Sequence, residues 1–396
     1  MPHIQPRIVF HGEKMVSVVL KTVERCNINC TYCYFFNKTD QSYKSHPPYI
    51  SRDTIDQVAN FLLKGSQDLN FSNILLCIHG GEPLMQNIDD FDYMCSLISD
   101  ACKLSKIQVE YTIQTNAMLV SKEWIDLFNK HKVHVGISID GPKMYHDKYR
   151  IDKQGRGTFD RTVEKIHLLN KFKKNFDTSI LCVANPGFNP RKIFDFFKND
   201  LNVNQFDFLL PDANHSDLPA FGVEEYGDFF CNLFDILKEE GMDKYKIRFL
   251  NNIMGNFFNF SSPVYGQEKH AAKKTHPFTI SSGGDLSPVD DLRNTDPNLM
   301  NTGLSVYNST LANFFKHTYF NEISKTLNTL PKNCLSCCWQ EICNGGNFIH
   351  RFKAEQGFVN ESVYCNALKK IYSKITAHLI NDGYSVIDLE KRLCIN

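Results

Sequence analysis

From residue 16 to about residue 210 the chain repeats one unit six times: a short apolar or β-branched run followed by an amphipathic stretch of helical period. The runs fall at residues 16–23, 74–78, 109–114, 133–139, 179–183 and 205–210. Such alternation is the pattern of βα units, in which each strand is covered by the helix that follows it and the strands lie parallel. It restricts the chain to the α/β class and predicts a partial (β/α)6 barrel, two units short of a closed eight-stranded one. Helices are expected to start near Ser51, Ile88, Ser121, Thr158 and Asn189. Ser51, Ser121 and Asn189 can accept from the free N–H groups of a first turn, and Pro190 suits the first helical position. In folds of this kind the loops after the strands form the functional face.

The loop after the first strand carries Cys26, Cys30 and Cys33 in a C-x3-C-x2-C spacing. Three thiolates so placed can hold three irons of a [4Fe-4S] cluster and leave the fourth open to a small chelating molecule, whereas a fully ligated cluster uses four Cys. A structural zinc site also wants four ligands, and no fourth Cys or His lies near in sequence. Three inert core cysteines are the plain alternative, but Asn27, Asn29 and Thr31 interleave them. Tyr32 offers a flat face for a purine. After the second strand comes His79-Gly80-Gly81-Glu82-Pro83, where paired glycines allow close backbone approach to a ligand and a carboxylate can accept from an ammonium group. The third run ends in Gln114-Thr115-Asn116 and the fourth in Ser138-Ile139-Asp140-Gly141-Pro142, with Arg150 beyond; each is also ordinary turn chemistry taken singly.

Lys+Arg and Asp+Glu are both 44, so there is no net field to attract nucleic acid or anionic lipid, and neither is expected as a partner. No apolar run reaches the roughly 18 residues that span a bilayer, and residues 1–12 lack a signal-peptide pattern, which makes a cytoplasmic location the expectation. The fourteen cysteines then read as metal ligands and core residues rather than disulfides. Cys77, Cys95, Cys102, Cys182 and Cys231 lack neighbouring ligands and are assigned to the core. Cys334, Cys337, Cys343 and Cys365, by contrast, stand in a C-x2-C-x5-C pattern with a distant fourth member, enough for a complete second [4Fe-4S] cluster. A zinc ribbon would more usually show a second close pair. Cys338 competes with Cys337 for one position.

In this order the motifs resemble the radical S-adenosylmethionine (SAM) enzymes, and the downstream cysteines resemble the auxiliary-cluster ligands of the SPASM extension of peptide and protein maturases. That resemblance implies SAM as cofactor, bound through its amino group by Gly80, Gly81, Glu82 and Pro83, with Ser138 and Arg150 toward its carboxylate and Asn116 toward the ribose or methionine. It implies four parts: an N-terminal extension (residues 1–15), a radical SAM partial barrel (16–210), a helical bridge (211–270) with helices at 223–240 and 247–258, and a SPASM-like domain (271–396). Residues 281–290 contain no Cys where a further auxiliary cluster would take its ligands, so one auxiliary cluster is expected. Residues 283–293, 302–304 and 343–366, with the first cysteine loop, are most similar to the branch that forms three-residue cyclophanes in ribosomally synthesised peptides, of XYE type.

By that resemblance a 5'-deoxyadenosyl radical takes a hydrogen from a side-chain Cβ, and the carbon radical attacks an aromatic ring two residues earlier. The auxiliary cluster accepts the electron that restores aromaticity, and Asp290 takes the proton. Asp290 pairing with Arg293 in an ordinary turn is the alternative for that residue. The partners implied are a precursor peptide with a leader and an electron donor such as flavodoxin or ferredoxin; with the first strand beginning near residue 16, no separate N-terminal leader-binding domain is expected. A sulfatase-type formylglycine maturase, thioether formation, epimerisation and a non-catalytic iron-sulfur carrier are the competing readings. The first of these normally carries two auxiliary clusters.

Overall fold

The computed structural model describes residues 15–258, 277–318 and 329–393. The expected N-terminal extension lies outside them except for Met15, as do residues 259–270 of the expected bridge. By contacts the chain forms two compact units, Met1–Leu181 with Lys274–Asn321, and Cys182–Lys273 with Glu322–Asn396.

The fold is mixed α/β with a largely parallel sheet of partial-barrel type. All six predicted strands are present: β1 Met15–Val23, β2 Asn73–Gly80, β3 Gln108–Thr115, β4 His134–Ser138, β5 Thr178–Val183 and β6 Gln205–Leu209. In the first unit β1 pairs with β2, β2 with β3, β3 with β4 and β4 with β5, all parallel. The pleat decides which side chains are covered. On β2, Ile74, Leu76 and Ile78 are buried while Leu75, Cys77 and His79 on the opposite face are half-buried. The following helices supply the cover. Arg52–Leu69 buries Ile55, Val58, Phe61 and Leu62, each contributing about 1.5–3 kcal/mol on leaving water. It starts where Ser51 accepts from the Thr54 N–H and ends at Asn70 in the left-handed region (φ 52°). Ser121 and Asn189 cap Lys122–His131 and Pro190–Asp195 in the same way.

Three further strands escape the periodicity because they are only two or three residues long: β7 Lys246–Ile247, β8 Phe278–Ile280 and β9 Leu286–Ser287. In the first unit β8 lies parallel to β1, with Val18 opposite Phe278 and Leu20 opposite Ile280, and β9 returns antiparallel to β8. The stretch expected as a single C-terminal domain is therefore divided, and its first part, with Asp290, joins the sheet of the first unit. In the second unit β6 and β7 pair in parallel. There the helix Val223–Glu240, at the place the sequence predicts, packs against Cys365–Asn381. Tyr226 meets Tyr364 edge-on at 5.2 Å, and Phe234 meets His378 at 5.3 Å. Cys95, Cys102 and Cys182 are buried as expected of core residues. No helix among the described residues is long and apolar enough to cross a membrane.

Candidate active site

The loop that follows β1 is short of regular structure and takes its shape from other loops. Asn29 N donates to Ile151 O (2.7 Å) and Thr31 N to Tyr149 O (2.9 Å), so the segment after β4 grips one side. On the other side Gly81 N donates to Val23 O (2.7 Å) and Glu82 N to Arg25 O (2.9 Å). This clamp explains the two glycines: a Cβ on Gly80 would lie 2.1 Å from Val23 O, and one on Gly81 2.1 Å from Arg25 O. The close approach they permit here is to the chain's own backbone, where the sequence suggested a ligand.

Within the clamp Ile28, Cys30 and Met118 form a buried knot against which Cys26, Tyr32 and Cys33 pack. Burial, reinforced by the charge of Glu82, pushes the Cys26 thiol up to about 12. Burial also raises Cys30, opposed by the guanidinium of Arg150. A thiolate in this place needs a cation bound to it, which suits iron ligation. Among the described residues no group of three His, Cys, Asp or Glu converges to hold one metal ion. That is the demand of a single ion rather than of a cluster whose irons each take a different thiolate.

Arg150 is 8% exposed; its Nη1 donates to Tyr32 Oη (2.8 Å) and its Nε is buried with no hydrogen-bond partner. Tyr32 in turn donates to Asp140 Oδ2 (2.5 Å). An unsatisfied guanidinium N–H beside the three cysteines fits an anionic group such as the carboxylate of an amino-acid cofactor. Glu82 is fully buried and engaged. Its Oε1 accepts from Leu84 N (3.0 Å) and Thr115 Oγ1 (2.6 Å), and its Oε2 from Asn116 N (2.8 Å). Burial raises its pKa and these three bonds lower it, leaving a net rise. Pro83 begins the 3-10 turn Pro83–Met85 that Glu82 caps. Asn116 Nδ2 donates to Asn27 Oδ1 (2.8 Å) and stands 3.9 Å from Cys26 Sγ. The hydroxyl of Ser138 accepts from Gln114 Nε2 (2.7 Å) across the β3–β4 pair. The structure thus gathers Cys26, Glu82 and Asn116 into one hydrogen-bonded group and Tyr32, Asp140 and Arg150 into another.

Asp290 lies in a separate buried network. Lys21, fully buried on β1, donates to Asp290 Oδ2 and stands 3.0 Å from His79 Nδ1. Tyr34 Oη also donates to Asp290 (2.5 Å), and Arg293 Nε does so at 2.7 Å while its Nη1 reaches Asp40 and Ser42. The Phe35 ring receives both cations, with Lys21 Nζ at 4.6 Å and Arg293 Cζ at 4.8 Å from its centre. Burial alone would raise the Asp290 pKa, but Lys21 and Arg293 hold it well below the usual carboxylate range. Burial, then the charge of Lys21, brings His79 down to about 3 and keeps it neutral. The pairing of Asp290 with Arg293 that the sequence offered as an alternative is present.

The four downstream cysteines all fall in the second unit. Cys334 is on the short helix Lys332–Leu335, Cys343 ends Gln340–Cys343, and Cys365 opens Cys365–Asn381. Cys334, Cys337, Cys343 and Cys365 are half-buried and Cys338 is exposed; every described cysteine is a free thiol. Sequence reasoning passed over Lys21, Tyr34 and Asp140. A lone charge within the apolar first strand was the available signal for Lys21; Asp140 was hidden by its turn dipeptide.

Comparison with known proteins places the chain among relatives of one kind. Residues 20–198 match the radical SAM superfamily. A serine-type anaerobic sulfatase-maturating enzyme of Bacteroides thetaiotaomicron is 27% identical over 84% of this chain and 82% of its own length. A cysteine-type anaerobic sulfatase-maturating enzyme of Clostridium perfringens is 25% identical over 90% of this chain and 95% of its own. Among solved structures, native anSMEcpe with bound AdoMet has a TM-score of 0.81 at 21% identity, covering 93% of this chain and 98% of that one. It shares the fold described above. The matching segment contains the three-cysteine loop, the Gly-Gly-Glu-Pro turn and Arg150, and over that segment the chain carries the sequence of a radical SAM enzyme.

Proposed function

We propose that this enzyme removes a hydrogen atom from a side-chain Cβ in a bound peptide or protein segment and oxidises the resulting radical by one further electron. The likeness to sulfatase-maturating enzymes over most of their length carries this reading. SAM with a [4Fe-4S] cluster at Cys26, Cys30 and Cys33, and an auxiliary [4Fe-4S] cluster at Cys334, Cys337, Cys343 and Cys365, supply the radical and the electron acceptor when bound.

The chain's own groups do the holding. Arg150 Nε, buried and without a partner, takes the methionine carboxylate. The Gly80–Pro83 turn presents the methionine ammonium with backbone oxygens and the Glu82 carboxylate, whose three existing bonds fix it in place. Asn116 orients the ligand from the Cys26 side, and Tyr32 is held by Arg150 and Asp140 as a flat wall. Ser138 is assigned to the same cofactor. Asp290, kept ionised by Lys21 and Arg293, is a weak base, adequate for the strongly acidic proton released when the substrate radical is oxidised.

Two products fit. Formylglycine in a sulfatase follows from the names of the relatives. A ring-to-Cβ crosslink in a precursor peptide follows from the sequence of residues 281–290, where Val289 is buried and no Cys is available for a second auxiliary cluster. The enzyme is to be co-expressed with a sulfatase peptide and, separately, with any short peptide encoded beside its gene. A serine-derived aldehyde and a crosslink both lose two hydrogens, but only the aldehyde reacts with a hydrazide. No mass change in either peptide would overturn the proposal.

A further inference from the structure

We infer that His79 stores a proton for Asp290 and is reached through Lys21: the proton that Asp290 takes from the oxidised substrate moves to His79 Nδ1 and returns the same way once the product has left. The inference rests on Asp290 as the base proposed above. Lys21 and His79 act through Asp290, as positioning residues.

Neighbouring strands bring the pair together. Lys21 of β1 is the register partner of His79 of β2, and its Nζ stands 3.0 Å from His79 Nδ1 while donating to Asp290 Oδ2. An ammonium has three N–H donors and no acceptor. His79 Nδ1 therefore turns a lone pair toward it, the ring is neutral, and its one proton sits on Nε2. That is the form able to take a second proton, and Lys21 is already bonded to both ends of the path.

Asp290 itself is a poor resting place for a proton. Its Oδ2 accepts from Lys21 and from Tyr34 Oη (2.5 Å), and its Oδ1 accepts from Arg293 Nε (2.7 Å). Three donors converge on one carboxylate, so a hydrogen added to either oxygen would face a donor where an acceptor is needed. Arg293 cannot pass that proton on, because a guanidinium keeps its own, and its other arm is spent on Asp40 and Ser42. Lys21 can: burial lowers its pKa, which eases the loss of one proton. The transfer balances. The proton released as the substrate radical is oxidised goes to a carboxylate oxygen of Asp290, the electron going to the acceptor proposed above. Lys21 then gives one proton to His79 Nδ1 and takes the one on Asp290. Ammonium and carboxylate are restored, and the charge gained rests on the His79 imidazolium. The charged groups acting on that ring are Lys21 from β1 and Asp290 and Arg293 from the turn Asp290–Asn294, and the restored carboxylate lies between the two cations and offsets them.

The test uses the full iron-loaded chain and has two readouts. In protein labelled with 15N-histidine, without substrate, the ring signals that vanish in His79→Gln should show Nε2 protonated and Nδ1 bare at neutral pH; a proton on Nδ1 overturns the inference. The second readout is product formed per 5'-deoxyadenosine, with whichever of the two peptides above is converted. His79→Gln still accepts from Lys21 but cannot hold a proton, and Lys21→Arg still pairs with Asp290 but cannot pass one on. Each should lower that ratio by about tenfold or more, with SAM cleavage retained, and added imidazole should restore it in His79→Gln. A ratio unchanged in either variant, or a fall in His79→Gln that imidazole does not reverse, overturns the store and leaves Asp290 as the base. A ratio unchanged in Asp290→Asn overturns the base and the inference with it, and so does conversion of neither peptide by the parent enzyme. Should Lys21→Arg fail to hold iron, His79→Gln decides alone.

Discussion

The loop with Cys26, Cys30 and Cys33 and the segment with Cys334, Cys337, Cys343 and Cys365 both gather free thiols, yet their surroundings are built to different ends. Around the first, polar groups are left in want of a partner: Arg150 Nε is buried and unsatisfied. The loop itself is held by backbone bonds from two neighbouring loops and by side-chain bonds at Asn27 and Tyr32. Near the second, the buried Arg351 spends its guanidinium within the chain, on Thr329 O and Asn360 O. An incomplete ligand set goes with unfilled hydrogen-bonding capacity, and a complete one with a closed shell. The difference fits the proposed roles, in which the first place binds a further molecule and the second handles charge.

The severest test of this contrast removes one side of it. Replacing Cys26, Cys30 and Cys33 together by Ala is expected to abolish SAM cleavage and to leave about four irons per chain, those of the four-cysteine site; iron remaining near eight would show the ligands wrongly assigned. Next in size is Lys21→Met, which leaves Arg293 alone to balance the buried carboxylates of Asp290 and Asp40 in the first unit. Removing one partner of a buried ion pair costs about 3–5 kcal/mol. Urea unfolding followed in the iron-loaded protein should show that loss while the EPR signal of the second cluster persists, and an unchanged midpoint would mean the network is not formed. Arg150→Met is expected to weaken SAM binding by about 1.5–3 kcal/mol, the worth of a charge-assisted bond, with iron at both sites retained. Calorimetry that finds equal affinity would remove Arg150 from the cofactor site.

The smallest effect concerns acid, and it should be alike in the two units. Burial holds His146 in the first down to about 2 and His350 in the second down to about 3. Each folded pKa lies below the ordinary value near 6.5, so the unfolded chain binds the proton more readily. The stability tied to the neutral rings is present above about 6.5 and is lost as the pH falls toward the folded values. From neutral pH to about 5.5 the loss should be about 1 kcal/mol per histidine. Replacing either by Gln should remove its share of the slope in urea midpoint against pH; a slope untouched by both changes would contradict their burial as neutral groups.

Much of the architecture was legible because it is written locally. The period of two in residues 74–78 and the periodic apolar positions after Ser51 report which side chains one strand or helix can bury, with no reference to the rest of the chain. Cysteine spacing is local too, and it names the proposed ligands of each site. The strands β7, β8 and β9 carry too few residues for a period to register, and with them the sequence lost the division of the chain into its two units.

What tertiary structure alone decided is the company each residue keeps. Pairing of Val18 with Phe278 carries the β8–β9 hairpin to the edge of β1, and by that register Asp290 meets Lys21 across 269 positions of sequence. The same holds for Glu82, whose carboxylate is engaged by Thr115 and Asn116 from the next strand, and for Arg150, whose guanidinium is left with one buried N–H unpaired. A residue's type sets what it can donate or accept. Whether that capacity is spent within the chain or left for a cofactor depends on neighbours brought by strand register and burial, and these have no counterpart in local sequence.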